Sequence, residues 1–141
     1  MNHKTFDHGT YRKDDKAKMQ IMKWMSQQGY SEVRTNPDQY AIDVLASWYG
    51  EPVAFEVEVK HNWRGEEFPF STCHFSARKR KFLDPLMRVR FAMLNHDRDR
   101  FVMFKGEDLL VQGRIVKKNT IYTSDEEFIE IDSRWGQVFD L

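Results

Sequence analysis

The sequence predicts a single α/β (α+β) domain in which helices flank a mixed β-sheet, with elements in the order α-β-β-β-α-β-β. Three features indicate this fold class: an amphipathic helical pattern near the N-terminus, a central pair of strands in residues 40–60, and several short apolar strands in the second half. A chain of 141 residues is long enough for one core and short for two. We expect one domain over residues 1–141, with a loose arm at 1–12, a core at 14–104 and a C-terminal extension at 105–141.

Composition excludes several classes of protein. The chain is 40% hydrophobic and 14% aromatic, which favours a folded domain over a disordered one. Its single cysteine, Cys73, excludes an intrachain disulfide and a cysteine-rich zinc site. No apolar run approaches the roughly 20 residues that span a bilayer, and residues 1–15 lack the apolar centre of a secretory signal. We therefore expect a cytoplasmic, intracellular protein with no membrane partner.

The charges are balanced in number but uneven along the chain. Lysine and arginine total 22, as do aspartate and glutamate. Basic residues are concentrated in residues 1–24 and 60–90, whereas the chain after Asn119 is acidic. A neutral chain with two basic segments is able to present a basic face to a polyanion. The alternative is an ordinary mixed surface.

The first regular element is a helix predicted from about Asp14 to Gln28. Its apolar residues form a stripe that faces the core: Ala17, Ile21, Trp24 and Met25. Gly29 is expected to end the helix. A short strand follows at residues 31–35, and a turn at 36–38 leads into the central hairpin.

The central hairpin carries the most informative pattern. Alternation over residues 53–60 predicts a strand with an apolar face and a polar face, the polar one bearing Ala54, Glu56, Glu58 and Lys60. The preceding strand contains one charged residue, Asp43, between Ile42 and Val44. If the hairpin closes symmetrically about Gly50 and Glu51, Asp43 lies opposite Glu58. Residues opposed in this way have Cβ atoms roughly 4.5–5.5 Å apart.

Two carboxylates at such a short distance repel each other unless a positive charge lies between them. Mg²⁺ prefers oxygen ligands and is often bound by only one or two carboxylates. Lys60, on the same face as Glu58, would hold or polarise an attacking water. This set of residues indicates metal-assisted hydrolysis of a phosphodiester.

The chain after the hairpin is predicted from shorter patterns. Ser76 is expected to cap a helix that Pro85 bends or ends. The predicted elements are an extended segment at 69–75, this helix at 76–87, strands at 89–95 and 100–104, a short helix at 106–111, and extended segments at 115–122 and 127–132.

The arrangement Asp43 … Glu58-Val59-Lys60 resembles the signature of the PD-(D/E)XK nuclease superfamily, in which an acidic residue on one strand precedes Asp/Glu-x-Lys on the next. The resemblance covers roughly residues 14–104 and is greatest to small single-domain members, the Holliday-junction resolvases and related phage nucleases. It implies a restriction-endonuclease-like core. The proline of the family signature has no counterpart, since Ile42 precedes Asp43.

The resemblance also implies roles for individual residues. Asp43, Glu58 and the backbone carbonyl of Val59 would bind Mg²⁺, for which Mn²⁺ is a substitute, and Lys60 would orient or deprotonate the water. Further candidate ligands are Asp14, Asp15 and Glu56. Asp14 and Asp15 are equally explained as charges that favour the start of a helix. The alternative for the whole hairpin is an amphipathic edge with a solvated charged face.

Basic residues after the hairpin are candidates for DNA binding. Arg78, Lys79 and Lys81 follow the motif directly and would contact phosphates on either side of the scissile bond. Trp63 and Arg64, in the polar loop beside the motif, are further candidates, with Trp63 stacking on an unpaired base. The alternatives are a solvated helix face for the basic residues and a core position for Trp63.

These observations predict a metal-dependent nuclease that hydrolyses DNA and selects a branched or duplex structure rather than a sequence. We expect a homodimer, because two cuts on one DNA need two active sites. A sequence-recognising endonuclease is an alternative enzyme. The alternative from another class is a catalytically inactive nuclease fold that binds nucleic acid or protein.

Overall fold

The computed structural model describes residues 8–121 and 124–141, with side chains described from residue 15 onward. Part of the predicted arm, residues 1–7, and the end of the predicted segment 115–122 therefore lie outside the described residues. Helix α1, His8–Gln28, begins earlier than the predicted Asp14 and ends, as predicted, at Gly29 with φ +106°. Within the described part of the chain, no helix is long and apolar enough to cross a membrane.

The main sheet has six strands in the order β1-β2-β3-β5-β6-β9. Strands β3 and β5 are parallel, and the other neighbours are antiparallel. The sheet is therefore mixed, as predicted. The bounds of its strands are Ser31–Thr35 (β1), Val44–Trp48 (β2), Glu51–Val59 (β3), Arg88–Leu94 (β5), Arg100–Lys105 (β6) and Gln137–Asp140 (β9).

A second layer covers the face of the main sheet opposite α1. It contains a three-stranded antiparallel sheet in the order β4-β8-β7. The elements of the second layer are β4 (Thr72–Ser76), a 3₁₀ helix (Ala77–Phe82), α2 (Gly106–Gln112), β7 (Arg114–Lys118) and β8 (Glu126–Asp132). The predicted C-terminal extension thus supplies strands to both sheets, and β9 pairs with β6 at the edge of the main sheet.

Two apolar clusters lie on opposite faces of the main sheet. The predicted stripe of α1 is buried in one cluster against Val53, Phe55 and Val57 of β3. The other cluster joins Ala54 of β3 to the buried residues of β4, β8 and α2. The alternation predicted for β3 is confirmed, because its odd-numbered residues face α1 and its even-numbered residues face the second layer.

The central hairpin forms, but its register differs from the prediction. Tyr49 and Gly50 both have positive φ, +49° and +81°, as the two central residues of a type I′ turn require. Glu51 is therefore already in β3, paired with Trp48, and the pairing continues to Val44 opposite Phe55. Continued by one residue, this register places Asp43 opposite Glu56. The predicted opposition of Asp43 and Glu58 is wrong, because the turn is centred one residue earlier.

The helix predicted at 76–87 is a short 3₁₀ helix instead. It ends before Leu83, whose backbone is extended, and Pro85 prevents an α-helix from continuing. Ser76 makes no side-chain capping bond, and its hydroxyl instead accepts a hydrogen bond from Arg78 Nε at 3.1 Å. Four successive basic residues supply no apolar stripe at the α-helical period, so packing gives an α-helix little support here.

Candidate active site

The site forms where β3 extends beyond its neighbour β2. Pairing between these strands stops at Phe55, so the edge of β3 from Glu56 to Val59 faces an open cleft on the β2 side. Asp43, the residue before β2, covers part of that edge. Its Oδ2 accepts a hydrogen bond of 2.8 Å from the backbone N–H of Val57, which satisfies a donor that the ladder leaves unpaired.

Three carboxylates lie around this open edge. The backbone N–H of Asp43 donates to Glu56 Oε1 at 3.3 Å, so Glu56 is the direct neighbour of Asp43. Glu58, two residues along the same face of β3, is joined to Glu56 through a shared lysine, Lys79. The structure therefore brings together Asp43 and Glu58, both predicted, with Glu56, which the sequence indicated only as a further ligand.

Glu56 is a buried carboxyl group with a perturbed acidity. Its residue is 7% exposed. Burial raises the pKa of Glu56 to about 7, the Lys79 ammonium opposes this shift, and the neighbouring Asp43 carboxylate adds to it. Any added positive charge stabilises the ionised form of such a carboxyl group. Perturbed pKa values of this kind are concentrated at functional sites.

Lys79 holds the two glutamates of β3 together. Its Nζ lies 3.0 Å from Glu56 Oε2 and also contacts Glu58 Oε1. Burial lowers the pKa of Lys79, but the two carboxylates outweigh burial and the pKa is raised, so the ammonium stays charged. In this DNA-free structure the charge of Lys79 is directed inward to the carboxylates, and its contact with DNA phosphates stays a prediction.

A second lysine reaches the cluster from α1. Lys18 Nζ lies 3.2 Å from Asp43 Oδ1. Lys18 was not among the residues predicted for the site. The available signal was its position next to Ala17 and three residues before Ile21, at the border of the apolar stripe, which turns its side chain toward the sheet.

Lys60, the lysine of the sequence motif, points elsewhere. Its Nζ lies 4.7 Å from the centre of the Phe70 ring, and Lys60 is not among the residues that line the cleft. The structure thus does not bring Lys60 to the carboxylates in the way that the motif implies. The lysine that contacts the two glutamates of the cluster is Lys79.

The cleft around the carboxylates has a volume of about 930 Å³ and is lined by α1, the loop before β2 and the end of β3. Asp15 and Val59 are among its lining residues. The backbone N–H of Lys60 donates toward β5, to Leu94 O. In the trans peptide group that joins Val59 to Lys60, the carbonyl points in the opposite direction from that N–H. The Val59 carbonyl therefore faces the open side, where a ligand role is sterically allowed. The side chain of Asp14 lies outside the described residues.

The donor set suits a hard divalent cation in its chemistry. Carboxylate and carbonyl oxygens are the ligands that Mg²⁺ prefers, and Asp43, Glu56, Glu58 and Val59 supply them. Among the side chains that the structure describes, no three acidic, histidine or cysteine groups already converge as a cation site. In this structure Lys79 pairs with both Glu56 and Glu58. The donor chemistry fits a cation, which would have to displace this lysine to bind both glutamates.

The predicted DNA-binding residues separate into two groups. Arg78 and Lys81 are exposed on the 3₁₀ helix that carries Lys79, and Arg64 is exposed in the loop between β3 and β4. Trp63 is completely buried and its indole N–H donates to Glu67 O at 2.8 Å. The prediction that Trp63 stacks on an unpaired base is wrong, because the ring is part of the core.

Comparison with known proteins identifies the fold. No family model matches the chain, and no curated protein matches it. Among solved structures, the chain is similar to Hjc of Archaeoglobus fulgidus, a Holliday junction resolvase from an archaeal hyperthermophile, with a TM-score of 0.57 and 14% sequence identity. The match covers 89% of this chain and 90% of that chain. The chain therefore has the fold of a Holliday junction resolvase, the restriction-endonuclease-like core of mixed sheet and flanking helices that the sequence resemblance implied.

Proposed function

We propose that this chain is a metal-dependent nuclease that hydrolyses phosphodiester bonds of DNA, with branched DNA as its preferred substrate. The observation that supports this most strongly is the cluster of Asp43, Glu56 and Glu58 at the open edge of β3. A buried carboxyl group beside a second carboxylate is costly for stability. Such a cluster is expected where a cation is to be bound. The similar fold of a Holliday junction resolvase supports both the reaction and the substrate.

In this proposal Asp43, Glu56 and Glu58 hold Mg²⁺ or Mn²⁺, and the Val59 carbonyl completes the protein ligands. The cation, when bound, polarises the phosphate and lowers the pKa of a water. The protein's own residues position the substrate. Arg78 and Lys81, exposed on the 3₁₀ helix that carries Lys79, contact phosphates on either side of the scissile bond. Helix α1 and the loop before β2 form the other wall of the cleft.

The assembly and location belong to the same proposal. A junction presents two equivalent strands to be cut, and the Asp43, Glu56 and Glu58 cluster of one chain would serve one of them. We therefore propose a homodimer that acts inside the cell on DNA.

A second candidate function is a nucleic-acid-binding module without catalysis. It is favoured by the ion pairs between Lys79 and both glutamates, which neutralise the carboxylates without a cation. The two functions differ in one outcome. The binding module retains a junction without cutting it under any metal condition.

The experiment compares a labelled four-way junction with a linear duplex of the same arms, in Mg²⁺, in Mn²⁺ and in EDTA. The proposal predicts cutting of the junction with either cation, weaker cutting of the duplex, and none in EDTA. Binding of the junction with no cutting in either cation would favour the second candidate. Cutting in EDTA would exclude the metal-dependent mechanism.

A further inference from the structure

Two of the described lysines are candidates for the lysine of the motif: Lys60, which follows Glu58 by two residues, and Lys79, which contacts Glu56 and Glu58. The motif lysine, Lys60, packs its ammonium over Phe70. Lys79, which the sequence assigned to DNA phosphates, bridges Glu56 and Glu58. The structure therefore separates the lysine indicated by the motif from the lysine that occupies the cluster.

The 3₁₀ helix explains why Lys79 is turned inward. This helix has three residues per turn, so side chains three apart lie on the same side. Lys79 shares its side with Phe82, which packs against the apolar cluster of the second layer. Arg78 and Lys81 share the exposed side. Strand β4 carries this helix to the cleft, because it is fixed by pairing with β8 up to Ser76 opposite Phe128.

The contacts of Lys79 differ from an ordinary surface ion pair. Its side chain is 20% exposed, and Glu56, one of its partners, has a side chain 9% exposed. Lys18 contacts Asp43, outside β3, whereas Lys79 lies between the two glutamates of β3. An ammonium held between two carboxylates occupies the position that suits a divalent cation, since both need the same oxygens.

We propose that Lys79, and not Lys60, is the lysine of this site, and that in the cation-free protein its ammonium occupies the place between Glu56 and Glu58 that a divalent cation takes in the active enzyme. This inference rests on the proposed function. In the cation-free protein Lys79 neutralises the two carboxylates, which β3 itself places two residues apart on one face. When a cation is bound, Lys79 is released at the rim of the same cleft, where the substrate phosphate would lie.

The first test measures Mn²⁺ affinity without DNA, by calorimetry on the full chain. Lys79→Met removes the competing ammonium, and we expect Mn²⁺ to bind about 10-fold more tightly or better. Lys81→Met makes the same substitution on the exposed side of the same helix, and we expect affinity within about 2-fold of the unsubstituted protein. A merely structural role for Lys79 predicts the opposite sign, because carboxylates that separate bind a cation less well. Unchanged or weaker binding by Lys79→Met overturns the proposal.

Lys79→Arg keeps the test decisive if Lys79→Met does not fold. Arginine retains a charge that pairs with carboxylates, so we expect Mn²⁺ affinity no higher than that of the unsubstituted protein. Thermal unfolding in EDTA establishes that each variant is folded before titration. Tighter Mn²⁺ binding by Lys79→Arg would contradict the proposal that the side chain and the cation compete for the same carboxylates.

The second test compares junction cleavage by Lys79→Met and Lys60→Met, with Lys117→Met on the exposed strand β7 as the control. We expect Lys79→Met to lose about 100-fold or more in rate and Lys60→Met to stay within about 3-fold. Cleavage that needs Lys60 and not Lys79 overturns this inference and leaves the proposed nuclease intact. If the unsubstituted protein cuts no DNA, the proposed function fails, and the Mn²⁺ titration of Lys79→Met still decides the inference.

Discussion

Asp43 and Glu56 face each other at the end of the β2–β3 hairpin, where the backbone N–H of Asp43 donates to Glu56 Oε1 at 3.3 Å. The Asp43 carboxylate in turn accepts from the backbone N–H of Val57. Two neighbouring carboxylates weaken a fold unless positive charge compensates for them. Lys18 and Lys79 supply that charge in the structure, and a divalent cation supplies it in the proposed enzyme.

Asp43→Asn is expected to abolish cleavage while sparing DNA binding. The substitution removes a cation ligand and one negative charge from the cleft but keeps the size of the side chain. We expect the rate of junction cleavage to fall by about 100-fold or more, and the junction affinity to be unchanged or higher. Single-turnover cleavage and a gel-shift titration measure the two effects. Cleavage that persists in the variant would exclude Asp43 as a ligand.

Glu56 is expected to make the stability of the cation-free protein depend on pH. Its pKa is raised to about 7 in the folded chain, so between the ordinary value near 4.5 and 7 the folded state binds more protons than the unfolded state. Stability therefore falls as pH rises through this window. Relative to Glu56→Gln, we expect the unfolding free energy of the wild type to fall by on the order of 1–3 kcal/mol between pH 5 and pH 8.

Urea unfolding of both proteins in EDTA at these two pH values measures this difference, and groups that titrate equally in both cancel. We expect added Mg²⁺ to reduce the pH dependence of the wild type, because a cation stabilises the ionised carboxylate. Parallel stability curves for the wild type and Glu56→Gln would show that Glu56 is not responsible.

Arg78 and Lys81 are expected to contribute phosphate contacts. Each lost contact reduces the slope of log affinity against log salt by about 0.9 for duplex DNA. Replacing both residues by alanine should therefore lower the magnitude of the slope by about 2. The control replaces Lys105 and Lys117, which are exposed and lie outside the cleft. A slope unchanged by the Arg78 and Lys81 pair would return these residues to an ordinary solvated surface.

Trp63 is expected to act on stability alone. Its ring is completely buried and packs edge-on against Phe68, with centroids 5.1 Å apart. Trp63→Ala should cost about 3–5 kcal/mol of unfolding free energy, measured by urea unfolding. Trp63→Phe, which keeps an aromatic ring, should bind the junction as the wild type does. Leu86→Ala, at a residue 91% exposed, should change stability by less than about 0.5 kcal/mol.

Much of the fold is readable from the sequence because its signals are local. The stripe of α1, the alternation of β3 and the strand at 89–95, observed as β5, each follow from residues a few positions apart. The sequence alone predicts the fold class and the acidic character of the site. The fold class is confirmed by the similarity to a Holliday junction resolvase.

The register and the second layer were not predictable in the same way. A tyrosine at positive φ is uncommon, so the sequence gives no strong signal for a turn centred on Tyr49 and Gly50. A turn centred on Gly50 and Glu51 was predicted instead. The position of Lys79 depends on β4 pairing with β8, more than fifty residues away in the chain. Such long-range pairing leaves no trace in a local pattern. The local motif therefore indicates Lys60 as the lysine beside the carboxylates, whereas Lys79 makes the contacts in the structure.

The most direct test of the account compares junction cleavage by Glu56→Gln with cleavage by Glu51→Gln, a matched substitution at an exposed residue of the same strand. If Asp43 and Glu56 form the cation-binding pair, Glu56→Gln loses about 100-fold or more in rate with Mg²⁺, and Glu51→Gln cuts as the wild type does. Wild-type cleavage by Glu56→Gln would contradict the assignment of the site to the opposed carboxylates Asp43 and Glu56.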